Sequence, residues 1–332
     1  MIGKQKSQLS LLDSAFNART KHSRVDKLLK KIDTFVDWKN LESICNGMYK
    51  DSKRGRPSLP VIVALKCLIL QYLYNLSDPA LEDALIDRLS FQRFLGISFD
   101  TEIPDFTTIW RFRERLIKAK LLDRIFENVL KQLDKRNVIL RKGTLIDATL
   151  VQAARKKAKN KSAGESNGTR ESQRDHDASG TRKGGKYYYG YKGHIATDEG
   201  SNIIRRRRFT TASVHDSREL NNLVCGDEQS VFADKAYADD RVKRNMRKQG
   251  IYYGIMDKGR RGRPKLSTKQ KKANNRKKKI RNAVERPFAH FKKHMGFKYV
   301  RYVNLKRNEL HFTFLCMIHN IRRGLALTMP GS

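Results

Sequence analysis

The sequence predicts an α/β protein in which an all-helical N-terminal domain precedes a domain built on a mixed β-sheet. Two observations predict this fold class. Apolar residues recur at helical spacing through residues 26–140. From residue 141 onward, short runs of β-forming residues alternate with helical segments in the order strand, hairpin, helix, strand, helix, strand, helix.

The N-terminal domain follows a polar, flexible N-terminus at residues 1–25. Within residues 26–140, apolar side chains repeat every three to four residues at positions 28–36 and again at 65–76. Short helices joined by tight turns in a basic protein favour a helix-turn-helix-like DNA-binding domain. An ordinary helical bundle that only packs on the next domain fits the same pattern equally well.

The second domain is expected over residues 141–326, with residues 327–332 as a tail. Its strands are predicted from short apolar runs that are rich in β-forming residues and bounded by turn residues. They cover residues 144–151, 187–197, 203–213, 230–236 and 251–256. A helix is predicted over residues 271–293, and a last helix carries its apolar face through residues 310–325.

Two stretches of the second domain are too polar to form a core. Residues 153–186 are rich in Lys, Ser, Gly and Asn, so they are predicted to be a mobile basic insertion. In the tract 257–281, thirteen of 25 residues are Lys or Arg, and only Asp257 is acidic. Such a run of like charge is typical of a segment that binds a polyanion.

The net charge of +37 indicates a polyanionic partner, because self-repulsion on this scale destabilises a compact chain. A membrane partner is disfavoured, since the most apolar stretch, residues 59–76, is interrupted by Lys66 and the N-terminus lacks a signal-peptide core. The four cysteines contain no CxxC pair, which favours buried thiols over a zinc site or a disulfide framework. Nucleic acid is therefore the expected partner, and the cytoplasm is the expected compartment.

Two predicted strands end in aspartate amid apolar residues, at Asp147 and Asp234, although aspartate is depleted in strands and costly to bury. A third acid, Glu285, lies in the predicted basic helix. Cleaving a phosphodiester needs an activated water and a stabilised leaving oxygen, and two divalent ions about 3.5–4 Å apart serve both when carboxylates hold them. Sequence pattern leaves an alternative open: the aspartates cap or pair with cations such as Lys235, and Glu285 is a surface residue.

Several short segments occur in an order and spacing typical of one protein family. They are residues 55–57 (GRP), 74–78 (YNLSD), 145–149 (LIDAT), 190–194 (GYKGH), 214–217 (VHDS) and 233–237 (ADKAY). The family also has a signature of Tyr, two residues, Arg, three residues, Glu, six residues, Lys. Arg281, Glu285 and Lys292 fit it, whereas Lys278 occupies the tyrosine position. Over roughly residues 50–322 the chain resembles the DDE transposases of bacterial insertion sequences, in the insertion-sequence-five-like branch.

The resemblance implies a ribonuclease-H-like catalytic core, with Asp147 on the first strand, Asp234 on the fourth and Glu285 on a following helix. It implies that these acids bind two Mg²⁺ ions, for which Mn²⁺ can substitute. The implied reaction is hydrolysis at the element's ends, followed by attack of the freed 3′-hydroxyl on target DNA, with Arg281 and Lys292 contacting phosphates. The implied partner is double-stranded DNA, both element ends and target, bound by a homodimer in a synaptic complex at the nucleoid.

Six further arginines are candidate DNA contacts. Four lie in two Arg-Gly-Arg-Pro turns that resemble minor-groove hooks, and two lie on a predicted edge strand. Ordinary basic turns and a solvated sheet edge are the open alternatives. The residues are Arg54, Arg56, Arg261, Arg263, Arg206 and Arg208.

Two other functions compete with that of an active transposase. One is a catalytically silent DNA-binding protein derived from a transposase, which the presence of all three acids disfavours. The other is a ribonuclease-H-like nuclease that cuts without strand transfer, which the spacing of Arg281, Glu285 and Lys292 disfavours.

Overall fold

The structure of the chain is a computed structural model that describes residues 22–49, 58–98, 101–153, 175–259 and 265–329. The chain divides into two compact units. The helical unit comprises Met1–Arg141, Asp198–Arg205 and Leu310–Ser332, and the sheet unit comprises Lys142–Thr197 and Arg206–Glu309. Outside the described residues lie most of the predicted insertion, at 154–174, and four candidate DNA contacts, Arg54, Arg56, Arg261 and Arg263.

Seven helices are described in the helical unit before residue 142. They are Arg24–Phe35 (α1), Trp38–Asn46 (α2), Val61–Leu73 (α3), Asp78–Asp87 (α4), Leu89–Leu95 (α5), Phe106–Lys118 (α6) and Leu122–Asp134 (α7). Helix α3 is central, since all of its residues except Ile62 are buried. Within the described residues no single helix is long and apolar enough to cross a membrane, although α3 and α4 meet that length and composition test as a pair bent by 107°.

Two buried cations of the helical unit, Arg113 and Lys66, are each paired with a carboxylate. Arg113 on α6 is 3% exposed, and it donates to both carboxylate oxygens of Asp78, at the start of α4, over 2.6 Å each. The ammonium of Lys66 on α3 lies 2.6 Å from an oxygen of Asp33 on α1. It also lies 5.1 Å from the ring centroid of Trp38. These pairs connect α6 to α4 and α3 to α1.

The last helix, Leu305–Thr328 (α12), belongs to the helical unit from Leu310 onward. The ring centroids of Phe314 and Tyr72, on α3, are 5.6 Å apart. A Cβ atom at Gly324 would lie 2.4 Å from Leu133 and 2.8 Å from Phe35, so α12 approaches α7 and α1 closely. The apolar face predicted at residues 310–325 is therefore buried.

A mixed sheet of six described strands organises the second half of the fold. The strands are Thr144–Gln152 (β1), Ser179–Lys183 (β2), Lys186–Asp198 (β3), Ile204–Thr211 (β4), Ser230–Phe232 (β5) and Tyr252–Tyr253 (β6). Their order is β2-β3-β1-β5-β6, and β4 also pairs with β3. Strand β5 is parallel to both β1 and β6, and β2 is antiparallel to β3. The predicted fold class is confirmed, because a mixed sheet of this order with an all-helical region before it is consistent with a ribonuclease-H-like core.

Four helices alternate with or follow the strands in the described part of the sheet unit. They are Leu220–Leu223 (α8), Asp240–Lys248 (α9), Thr268–Arg281 (α10) and Glu285–His294 (α11). One apolar cluster joins strands β1 and β5 to α8 and α9 through Ile146, Val231, Leu220 and Met246. This cluster packs β1, which carries Asp147, together with β5, which ends two residues before Asp234.

The prediction of a mobile insertion over residues 153–186 is wrong at its C-terminal end. Residues 179–183 form β2, which pairs with β3 along its whole length. Apolar burial does not order this segment. The buried Asp175 accepts a hydrogen bond of 2.7 Å from the Tyr191 hydroxyl and one of 3.2 Å from the amide of Asn304. Because β2 was not predicted, Asp234 follows the fifth strand and not the fourth.

The single helix predicted over residues 271–293 is two helices. Helix α10 ends at Arg281, a 3₁₀ turn spans Asn282–Val284, and α11 begins at Glu285. Pro287 accounts for the break, because proline has no N–H to donate and its ring clashes with the carbonyl four residues earlier. The break lies between Arg281 and Glu285.

Gly190 permits a close approach of β3 to β1, and its replacement tests that contact. Its φ is +153°, and a Cβ atom there would lie 2.1 Å from the carbonyl oxygen of Val151. We expect Gly190→Ala to lower the free energy of unfolding by about 3 kcal/mol or more, measured by urea denaturation. Gly47→Ala is the control, since a Cβ atom at Gly47 meets nothing within 4 Å. Equal stability of the two variants would contradict the described approach.

Candidate active site

The pairing register of β1 and β5 relates two aspartates, one on β1 and one just past the end of β5. Thr144 pairs with Val231 and Leu145 with Phe232, so each pair is 87 residues apart (231 − 144). The same interval separates Asp147 from Asp234 (234 − 147). Because neighbouring strands lie about 4.8 Å apart and residues at one level point to the same face, the two carboxylates are neighbours if the register continues two residues past the last pair.

Asp234 lies where β5 gives way to a 3₁₀ turn, Lys235–Tyr237. One of its oxygens accepts a hydrogen bond of 2.7 Å from the amide of Lys235, so this aspartate caps the turn. The capping role considered from the sequence is thus present. It does not exclude metal binding, because a carboxylate has two oxygens with about four acceptor positions.

Arg281 joins the first and third acids. One of its terminal nitrogens lies 3.2 Å from an oxygen of Asp147, and the other donates to an oxygen of Glu285 over 3.0 Å. The side chains are 10% exposed for Arg281, 21% for Asp147 and 55% for Glu285. Helix α10 ends at Arg281 and α11 begins at Glu285, so the two residues lie on either side of the helix junction and Arg281 connects it to β1.

The electrostatics of the site centre on Asp147. Burial raises the pKa of its carboxyl, the Arg281 guanidinium opposes that rise, and the Glu285 carboxylate adds to it. Desolvation lowers the pKa of Lys292, the neighbouring Lys183 lowers it further, and Asp147 partly compensates. Asp147 therefore lies within electrostatic range of Glu285 and of three cations.

Two members of this neighbourhood were not predicted from the sequence. Lys183 ends β2, in the segment taken for an insertion, so only the pairing of β2 with β3 locates it. Tyr237 is 1% exposed, and among the described residues its hydroxyl has no hydrogen-bond partner. Burial raises the pKa of Tyr237 well above its usual value, and Asp216, Asp147 and Asp234 add to the rise. Its position in the ADKAY segment was the available signal.

Polar contacts attach helix α10 to the segment that follows β6, at Ile255 and Asp257. The Asn274 side chain accepts from the amide of Asp257 over 2.9 Å and donates to its carbonyl over 3.0 Å. The Lys277 ammonium donates to the carbonyl of Ile255 over 2.8 Å. The other side of the helix is exposed and basic. Its cations are Lys269, Lys271, Lys272, Arg276, Lys278 and Lys279.

The arginines of β4 alternate between the two faces of the sheet. Arg206 is exposed. Arg208 is also exposed, and it lies 3.3 Å from Glu219. Arg207 is buried, with Glu309 at 4.0 Å. DNA contact by Arg206 and Arg208 stays a prediction, and the partner of Arg208 makes Arg206 the more accessible of the two.

A second cluster of potential metal ligands contains a glutamate whose oxygens are already hydrogen-bonded to backbone amides. Within the described residues, ligand atoms of Cys225, Asp227 and Glu228 lie within 4.8 Å of one another. The Glu228 oxygens, however, accept from the amides of Cys225 and Gly226 over 3.0 and 2.6 Å. They close a turn at Gly226, whose φ is +95°. The predicted burial of all four thiols is also wrong here, because Cys225 is partly exposed.

Asp147, Asp234 and Glu285 fit a divalent cation by the chemistry of their donors. Carboxylate oxygens are the hard ligands that Mg²⁺ and Mn²⁺ prefer. Asp147 and Glu285 already share one positive group, the Arg281 guanidinium. The geometry therefore provides a place where positive charge is favoured by at least two of the acids.

The fold and these residues define a ribonuclease-H-like domain that carries a cluster of carboxylates beside a basic helix. Residues 140–321 match the family described as Transposase DDE domain, and residues 17–115 match Transposase domain (DUF772). The first match covers more than half of the 332 residues. The chain therefore belongs to the DDE transposases, a family whose partner is DNA.

A buried histidine of β3 gives the fold a predictable pH dependence. His194 is fully buried, its Nε2 lies 2.9 Å from the Thr210 hydroxyl, and desolvation lowers its pKa to about 4. Between about pH 6.5 and 4 the unfolded chain takes up a proton that the folded chain refuses, so stability falls as the pH falls through this window. We expect wild type to lose about 2 to 3 kcal/mol more than His194→Gln between pH 7.5 and 4.5 in urea denaturation. Parallel pH profiles would contradict the described burial.

Proposed function

We propose that this transposase cleaves the ends of an insertion sequence and transfers the freed 3′-hydroxyl groups to target DNA, with Asp147, Asp234 and Glu285 holding two Mg²⁺ ions. Mn²⁺ can substitute. The observation that carries the proposal is the pair of contacts by which Arg281 joins Asp147 to Glu285. The register of β1 with β5, continued two residues past its last pair, would add Asp234 beside Asp147. Membership of the DDE transposases supports the reaction class.

The residues around the acids have distinct tasks in this proposal. Bound divalent ions would activate the attacking oxygen and stabilise the leaving oxygen. Asp147, Asp234 and Glu285 would hold them, and the enclosing strands would fix the spacing of the two aspartates. Lys183 and Lys292, both within electrostatic range of Asp147, would bind phosphates beside the scissile bond. Water is the nucleophile of the first step, and the 3′-hydroxyl is that of the second.

We assign the chain to the insertion-sequence-five-like branch of the family. Support comes from Arg281, Glu285 and Lys292, which keep the spacing of the family signature. Lys278 lies at the tyrosine position, and its side chain is exposed on α10. The ammonium there would contact a phosphate electrostatically, whereas a tyrosine would stack or donate a single hydrogen bond.

DNA binding is proposed to involve both parts of the chain. The helical domain at residues 26–140 would recognise the element ends, and the exposed cations of α10 and Arg206 would bind the phosphate backbone. Arg54, Arg56, Arg261 and Arg263 are proposed to enter minor grooves. Two ends must be joined to one target, so a homodimer in a synaptic complex is the proposed assembly, working in the cytoplasm at the nucleoid.

The carboxylates are tested by cleavage of a duplex that carries the terminal sequence of the encoding element, in Mg²⁺. We expect Asp147→Asn, Asp234→Asn and Glu285→Gln each to cleave on the order of 10³-fold more slowly than wild type while binding the duplex equally, because each loses a metal ligand. Asp227→Asn is the control, since it removes an acid of the Cys225 cluster and should cleave normally.

Other outcomes of this assay identify the competing functions. Cleavage by all three variants at the wild-type rate would show that the named acids are structural. Cleavage without joined products would favour a nuclease. Binding without any cleavage by wild type would favour a catalytically silent DNA-binding protein.

The basic face of α10 is tested through the salt dependence of DNA binding. We expect replacement of Lys271, Lys272, Lys278 and Lys279 by Gln to make the slope of log K against log salt concentration less steep by about 3 to 4, since each lost phosphate contact contributes about 0.9. Fluorescence anisotropy at several salt concentrations gives the slope. Replacement of the same four lysines by Arg retains the charge and should leave it unchanged. An unaltered slope in the Gln variant would exclude this face from the interface.

A further inference from the structure

The contacts of Arg281 place a buried monovalent cation on one oxygen each of Asp147 and Glu285, two residues that the proposed function assigns to metal. Its terminal nitrogens contact Asp147 at 3.2 Å and Glu285 at 3.0 Å, and its side chain is 10% exposed. Among the described residues its Nε has no hydrogen-bond partner. The two acids therefore hold the guanidinium through its terminal nitrogens, and its Nε–H makes no hydrogen bond within the described residues.

Without a cation, these acids would repel one another in a partly desolvated place. Burial already disfavours the ionised form of Asp147, and Glu285 adds to that effect. A guanidinium that bridges two carboxylates compensates both and fixes their separation. In the metal-free protein, Arg281 thereby neutralises part of the charge that divalent ions would neutralise in the metal-bound protein.

The guanidinium and a divalent ion cannot share the same carboxylate oxygens at low cost. Both are cations, and like charges a few ångströms apart repel strongly where water is scarce. Metal binding to Asp147 and Glu285 therefore competes with Arg281. A guanidinium displaced from carboxylates needs another anion, and the phosphates of bound DNA are the anions that the proposed function brings to this site.

We propose that Arg281 is a placeholder cation, which holds Asp147 and Glu285 together before metal binds and moves to a DNA phosphate when divalent ions take the carboxylates. This inference rests on the proposed function. The position of Arg281 allows the movement, because the residue ends α10 and a 3₁₀ turn separates it from α11. Lys292, also near Asp147, marks the side from which a phosphate would approach.

The proposal requires that DNA and metal bind cooperatively through Arg281. A phosphate that draws the guanidinium away frees the carboxylates for metal, and by linkage a bound metal raises the affinity for DNA by the same factor. Arg281 is thus a positioning residue with opposite effects in the two states. Removal of its charge strengthens metal binding without DNA and abolishes the gain that DNA provides.

The test is isothermal titration of Ca²⁺, a divalent ion with the same preference for oxygen ligands, into the full chain with and without a 20-base-pair duplex. For wild type we expect the duplex to tighten Ca²⁺ binding about 10-fold. We expect Arg281→Gln to bind Ca²⁺ about 10-fold more tightly than wild type without DNA, and the duplex to add little. Arg286→Gln, an exposed arginine five residues along, is the control and should match wild type. Asp234→Asn assigns the heat to the site, and the heat of Ca²⁺ binding to the duplex alone is subtracted.

Weaker Ca²⁺ binding by Arg281→Gln, or a duplex effect equal to that of wild type, would overturn the placeholder role while leaving the metal site intact. Absence of Ca²⁺ binding by wild type would overturn the proposed metal site and this inference together. Should Arg281→Gln fail to fold, Arg281→Lys replaces it, because one ammonium cannot bridge both acids as a guanidinium does. A metal-free melting temperature below that of wild type, restored by Ca²⁺, is expected for either variant.

Discussion

The parallel pairing of β1 with β5 is the constraint on which the site depends. It relates residues 87 positions apart in the chain, the same interval that separates Asp147 from Asp234, which lies two residues past the end of β5. Burial makes the ionised form of Asp147 costly, and the Glu285 carboxylate adds to that cost. Neighbouring cations offset the cost of ionising Asp147, and among them the Arg281 guanidinium makes a direct contact with its carboxylate.

The junction of α10 and α11 is the second feature on which the site depends. Arg281 and Glu285 lie on either side of the 3₁₀ turn and form an ion pair, and Arg281 also reaches Asp147 on β1. Polar contacts of Asn274 and Lys277 hold α10 against the sheet unit and leave its remaining cations exposed. Helix α10 thus ends at Arg281 in the site and exposes its basic face to solvent. One helix therefore carries both the proposed DNA-binding cations and the arginine that contacts the acids.

Much of the fold follows from local pattern, and the rest depends on contacts distant in sequence. Strands β1 and β5 were predictable because apolar runs that end in an acid are unusual, although β5 ends at Phe232 and leaves Asp234 just beyond it. The mixed α/β class followed from the alternation of strands with helices. Strand β2 was missed because a polar segment is ordered there by pairing with β3 and by Asp175, and neither contact leaves an apolar signal. Lys183 was missed with it. The signature around Glu285 identified the right residues, but not that Arg281 would contact two of the acids.

The most direct test of the central claim, that Asp147, Asp234 and Glu285 form one metal site, is an anomalous difference map from crystals of the full chain grown with Mn²⁺. The account predicts peaks within about 2.3 Å of oxygens of all three acids, with the Arg281 guanidinium displaced from its present contacts. A peak at Cys225, Asp227 and Glu228 alone, or no peak at the three acids, would contradict it.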